Sequence, residues 1–97
     1  MINVMARIIV KPEAAVQMRD ILRELAVNSR RESGCISYEL YQQTGHRYVF
    51  QTIEQWLDQT AADAHLLTPH VAKAVAAAGP LFAGAPEIES YQLIEPA

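Results

Sequence analysis

Apolar positions alternate from the first residues of the chain. Ile2, Val4, Ala6, Ile8 and Val10 share one parity, and Asn3, Met5, Arg7 and Ile9 the other, which predicts a strand. Lys11-Pro12 ends it, because proline cannot donate to a sheet ladder and suits the first turn of a helix. The period then lengthens: Met18, Ile21, Leu22, Leu25 and Ser29 recur at three and four, while Arg19, Asp20, Arg23 and Glu24 face away. That spacing predicts a helix over 13–32. Ser33-Gly34 stops it, with Gly34 expected in the left-handed conformation past the helix end.

Alternation returns over 35–43 and 46–56, both rich in Tyr, Ile, Val, Phe and Thr, with Gly45 in the link where a hairpin turn needs positive φ. A short helix is expected over 58–66. Thr68-Pro69 then starts another, a hydroxyl cap followed by proline, which runs to 78 and ends at Gly79-Pro80. Residues 88–94 read as the last strand. The order β-α-β-β-α-β, with its second helical unit split, predicts a single α+β domain over 1–97. Its fold is the ferredoxin-like split βαβ arrangement, a four-stranded antiparallel sheet with helices on one face. On the face without helices, Met5, Ile9, Val49 and Ile53 mix with Arg7 and Gln51. An apolar face left uncovered predicts a second copy packed against it, hence a homodimer.

Composition narrows the partners. Of the 97 residues 51% are apolar and 20% charged, the balance of a folded domain, and the formal net charge is −3. The densest basic spot is Arg30-Arg31, followed at once by Glu32, so no nucleic-acid footprint is expected. The longest uncharged stretch, 74–86, is broken by Gly and Pro and is shorter than the ~18 residues of a membrane span. Met1-Ile2-Asn3-Val4 carries no basic segment ahead of an apolar core, and a cytoplasmic protein is expected. With Cys35 the only cysteine, neither an intrachain disulfide nor a thiolate metal cluster is expected.

Three segments carry a resemblance: Glu54-Gln55-Trp56-Leu57-Asp58; Asp63-Ala64-His65-Leu66-Leu67-Thr68-Pro69-His70; and upstream Glu32-Ser33-Gly34-Cys35-Ile36-Ser37-Tyr38. With the Ile8-Ile9-Val10-Lys11-Pro12 exit from the first strand, the chain resembles the antibiotic biosynthesis monooxygenase family, and within it the small quinol monooxygenases and their bacterial relatives. The resemblance implies a dimeric α+β barrel with a pocket between sheet and helices in each subunit. It also implies oxygenation of a small aromatic quinol or phenol by O₂ without metal, flavin or haem. No dinucleotide glycine fingerprint is present. Such chemistry asks the protein for a base, a dry pocket and donors for a developing oxyanion.

His65 is the candidate base, since an imidazole exchanges protons near neutral pH; the alternative is a core histidine bonded to a backbone carbonyl. Trp56 offers a flat wall and one N–H for a quinol oxygen, or else a core anchor. Tyr38, on the helix-facing parity of Ile36 and Leu40, supplies a phenolic donor and completes the catalytic set. Phe50 and Thr52, of Trp56's parity, are expected to contact substrate, and Glu54 there must be paired or face the pocket mouth. His70, in the first turn of the last helix, is expected to remain neutral and accept, or simply to face solvent. Asn3 and Arg7 lie on the other parity of strand one, able to stabilise an oxyanion or to pair across the sheet. Tyr41 belongs to the expected dimer interface, His46 to the turn, and Cys35 reads as a small hydrophobe.

No metal site is expected: His65 and His70 are five apart with Pro69 between them, unlike a helical i, i+4 metal pair. The haem-degrading branch of the superfamily uses an axial His with Asn and Trp; Asn3, Trp56 and His65 supply those types, but the Thr-Pro-His element favours the quinol relatives. Two other functions compete with an oxygenase: isomerisation of a small carbonyl compound through His65, and a dimeric module that only binds its ligand.

Overall fold

The computed structural model describes residues 1–95; the expected domain's last two residues fall outside them. Four strands form one antiparallel sheet: β1 (Ile2–Ile9), β2 (Cys35–Gln43), β3 (His46–Trp56) and β4 (Glu87–Tyr91), in the order β2-β3-β1-β4. Helices α1 (Ala15–Ser29), α2 (Gln59–Leu66) and α3 (Pro69–Ala78) complete the ferredoxin-like arrangement. Parity decides what each strand buries. The β1/β3 register sets Ala6 opposite Thr52, Val4 opposite Glu54 and Ile2 opposite Trp56, so these side chains share the helix-covered face. Below the helices, Ile8, Val10, Met18, Leu22 and Phe50 form one core cluster, and Ala26, Tyr38, Trp56 and Ala62 a second.

The chain departs from the periodic reading at four places. Pro12–Ala14 is a 3-10 turn, and the α-helix proper ends at Ser29, since the chain turns at once toward β2. Arg31 and Glu32 N–H groups bond to Asn28 and Ser29 carbonyls, and Cys35 N–H to the Glu32 carbonyl. Gly34 does not take a left-handed conformation; among the described residues only Gly45 has positive φ, 83°. Gly34 is there for space, because a Cβ on it would collide with the Ala61 Cβ of α2. The last strand stops at Tyr91, three residues before the expected end, where pairing with β1 runs out at Asn3.

Both short helices begin as their sequences suggest. Asp58 accepts from the Ala61 N–H at 2.8 Å, and Thr68 accepts from the Val71 N–H while its hydroxyl donates to the His65 carbonyl at 2.7 Å. Thr68 thereby ties the last turn of α2 to the first turn of α3. Among the described residues no helix is long and apolar enough to cross a membrane.

Candidate active site

Between the sheet and the helices lies a cavity of about 340 Å³, within the range of small-molecule sites. Its walls are mostly aliphatic, and the polar residues that line it are Tyr38 on β2, Thr52, Glu54 and Trp56 on β3, Gln59, Asp63 and His65 on α2, and Ser90 on β4.

Glu54 is the most demanding of these groups. Its carboxylate is 4% exposed and has no cationic partner among the described residues. A buried charge needs donors, and two side chains of its own strand face supply them: Thr52 Oγ1–H to Oε2 at 2.7 Å and Trp56 Nε1–H to Oε1 at 3.0 Å. Thr52 Oγ1 in turn accepts from the Ala6 N–H at 3.2 Å. The i, i+2 spacing of a strand puts Thr52, Glu54 and Trp56 side by side. The expectation that the indole N–H is free for a substrate oxygen is therefore corrected: Glu54 holds it. Trp56 presents its ring instead, against the His65 imidazole at 4.5 Å between centroids and 34° between planes.

His65 is held from behind. Its Nδ1 lies 2.6 Å from Glu32 Oε2, and the same oxygen lies 2.7 Å from His70 Nε2. A carboxylate accepts, so both facing ring nitrogens carry hydrogen, and in the neutral imidazole His65 Nε2 is the acceptor on the opposite side of its ring. His70 is thus a donor to Glu32, correcting the expectation of an acceptor, and it lies outside the cavity. Glu32 is fixed by its backbone in the turn after α1, His65 by Thr68 and His70 by the first turn of α3. The side chains of His65, Glu32 and His70 are 7%, 16% and 19% exposed, so the cluster is shielded without being sealed.

The remaining candidates divide clearly. Tyr38 is buried at the cavity wall, edge-on to Trp56 at 6.5 Å and tilted to His65 at 5.8 Å. Burial first, then the Glu54 charge, hold its phenol well above the usual range, so it is a permanent donor. Burial, then Glu32 and Glu54, also push the Cys35 thiol up, as suits a small hydrophobe. Phe50 is not at the cavity: it packs with Met18 and Leu22 in the core, because the helix covers that end of β3. Asn3 faces the other side of the sheet, between Gln55 and Tyr91, and Arg7 reaches Gln43 there at 3.2 Å, so neither serves the cavity. Glu32 was missed as a site residue because its role depends on two histidines 33 and 38 positions away.

Comparison with known proteins identifies the family and the fold. Residues 1–77 match the sequence profile of the family described as antibiotic biosynthesis monooxygenase. The Bacillus subtilis protein YcnE, provisionally named a monooxygenase, is 34% identical over 70 residues, 72% of this chain and 74% of its own. An uncharacterised Synechocystis protein, sll1783, is 32% identical over 94 residues, 97% of this chain; the chain spans only 64% of that relative's length. A crystal structure described as an antibiotic biosynthesis monooxygenase superposes with a TM-score of 0.93 at 27% identity, covering 98% of this chain and all of the other.

Proposed function

We propose a function from the premise that this chain belongs to the antibiotic biosynthesis monooxygenase family. The reading is a cofactor-independent monooxygenase that oxidises a small aromatic quinol or phenol with O₂. One observation carries it: an imidazole clamped by a carboxylate through Nδ1, with its other nitrogen free, at the wall of an apolar cavity.

In this reading the ring lies among the aliphatic walls, and His65 Nε2 takes the proton of its hydroxyl. Glu32 stabilises the imidazolium that results and keeps the ring from turning. The substrate anion passes one electron to O₂, and the two radicals combine at a ring carbon to give a peroxide. The imidazolium returns the proton, the O–O bond breaks and water leaves. One oxygen atom stays on the ring, the other departs in water with the two hydrogens removed, and a phenol becomes a quinone. Tyr38, always protonated, is the donor available to a developing oxyanion, and Glu54 accepts a second substrate hydroxyl.

An oxygen electrode tests the reading, with a dihydroxynaphthalene as substrate and wild type against His65→Ala. Uptake above the uncatalysed rate is expected, falling on the order of 10²–10⁴-fold in the variant. Uptake at the uncatalysed rate, or unchanged by His65→Ala, overturns it. Turnover under argon points to an isomerase, and thermal stabilisation by ligand without turnover to a binding module.

The proposed assembly is a homodimer formed through the sheet face without helices. Supporting it, Ile9, Ile53, Tyr41 and Tyr91 are exposed there rather than covered. A monomer at micromolar concentration in sedimentation equilibrium overturns it. The proposed setting is the cytoplasm, where Cys35 stays reduced.

A further inference from the structure

The Glu32–His65–His70 cluster has a capacity that the oxygenase reading does not use. Glu32 Oε2, His65 Nδ1 and His70 Nε2 all lie within 4.8 Å of one another, and they come from the turn after α1 and from α2 and α3, which Thr68 ties together. Two imidazoles and one carboxylate are a ligand set that zinc and related divalent ions accept, leaving a fourth position for water. At bond lengths of ~2.0–2.1 Å a tetrahedral ion needs its ligand atoms roughly 3.3 Å apart. The carboxylate oxygen now sits 2.6 and 2.7 Å from the two nitrogens, and the three atoms lie within 4.8 Å of one another, so an ion needs the carboxylate to move out by about 0.7 Å and the two imidazoles to draw together by up to about 1.5 Å. His70 and Glu32 keep partial contact with solvent, and His70 lies outside the cavity, so an ion has its own way in.

We infer that Glu32, His65 and His70 form a binding site for a divalent transition-metal ion of the zinc class, and that filling it switches His65 off as a base. The switch follows from valence. Each neutral imidazole carries one hydrogen. Facing Glu32, His65 keeps it on Nδ1 and offers the Nε2 lone pair to the cavity. An ion on Nδ1 takes that lone-pair position, so the hydrogen moves through solvent to Nε2, and the cavity now meets a donor. His70 makes the same exchange between its own nitrogens. No net proton is released by either neutral ring, and no electron moves. The same ion thus inverts the hydrogen-bonding sense of the cavity wall without entering the cavity.

The binding half of this inference stands without the oxygenase; only the inhibition rests on it, and the experiment separates them. Purified wild type is titrated with Co²⁺ and followed by visible absorption, then with Zn²⁺ by calorimetry, alongside His70→Ala and Glu32→Gln. Circular dichroism checks that each variant is folded. One ion per chain with four-coordinate cobalt bands is expected, weakened on the order of 100-fold in His70→Ala. Nitrogen NMR of labelled histidine reads the switch directly: His65 carries its hydrogen on Nδ1 without Zn²⁺ and on Nε2 with it. Equal affinity in wild type and folded His70→Ala, or a sulfur charge-transfer band that places the ion on Cys35, overturns the site. Zn²⁺ bound with His65 unchanged in NMR overturns the switch. Loss of oxygen uptake in proportion to bound Zn²⁺ supports it, while undiminished uptake by the fully loaded protein refutes it; absence of uptake without metal tells against the oxygenase alone.

Discussion

A methyl group added at Gly34 tests how the candidate base is held in place. Gly34 lies at the start of β2, its carbonyl accepting from the Leu57 N–H at 2.9 Å, and α2 passes directly over it. A Cβ there would overlap the Ala61 Cβ and lie 3.5 Å from the Ala61 Cα, so the backbone of α2 must retreat. Overpacking of this kind costs about 1–3 kcal/mol, and loss of glycine's freedom in the unfolded chain returns about 0.4–1 kcal/mol. Gly34→Ala is therefore expected to destabilise by roughly 1–2 kcal/mol, a fall in Tm of about 4–16 °C for a domain of this size. Ala61→Gly alone costs about 1 kcal/mol in helix propensity. In the double variant the clash is absent, so the two costs do not add, and a coupling of at least about 1 kcal/mol appears in a urea-denaturation cycle. Because α2 also carries His65, the single variant weakens its hold on Glu32, and the double restores it. A Gly34→Ala protein as stable as wild type, or strictly additive costs in the double, refutes the packing argument.

The Glu54 network and the Tyr38 phenol yield two further tests. Thr52→Val keeps the shape but deletes a hydrogen bond to a buried carboxylate and the acceptor of the Ala6 N–H, so a loss of about 2–4 kcal/mol is expected by urea denaturation. Thr52→Ser recovers most of it, and a loss under about 0.5 kcal/mol in the valine variant contradicts the network's role. Since the folded phenol of Tyr38 is raised above its unfolded value of 10.0, the unfolded chain gives up that proton first as pH rises. Stability is then full below pH 10 and falls above it by up to about 1.4 kcal/mol per pH unit. Comparing the alkaline limbs of wild type and Tyr38→Phe isolates this slope, and parallel limbs exclude it.

The elements were legible because each is written in a local period. Thr68-Pro69 marks a helix start through a hydrogen bond that closes within three residues, and the strand parity that groups Thr52, Glu54 and Trp56 requires only a two-residue repeat. The same parity placed Tyr38 and Trp56 on the cavity side and Tyr41 away from it. Parity does not say where along a strand the helices leave space, which is why Phe50, of the right parity, lies in the core under Met18 and Leu22. Gly34 shows a comparable ambiguity: a glycine after a helix fits a left-handed end or a close crossing, and only the position of α2 decides for the crossing.

The site itself was half legible, for a reason that lies in the chemistry of carboxylates. A histidine attracts attention by type, but what it does depends on which nitrogen carries hydrogen, and a partner distant in sequence sets that. Here the partner is Glu32, which looks like an ordinary solvated residue at the end of a polar helix face. Three short-range features bring it to His65: the early end of α1 at Ser29, the backbone bonds of the following turn, and the glycine that lets α2 approach. Glu54 differs in that its supporting donors are its neighbours in sequence, so the Thr-x-Glu-x-Trp spacing alone implies a satisfied buried carboxylate once the strand's face is known. The two carboxylates therefore divide the work of the cavity wall. Glu54 is fixed by its own strand and stays an acceptor, whereas the state of His65 is set by whatever Glu32 and His70 hold between them, which makes that cluster the part of the site open to control.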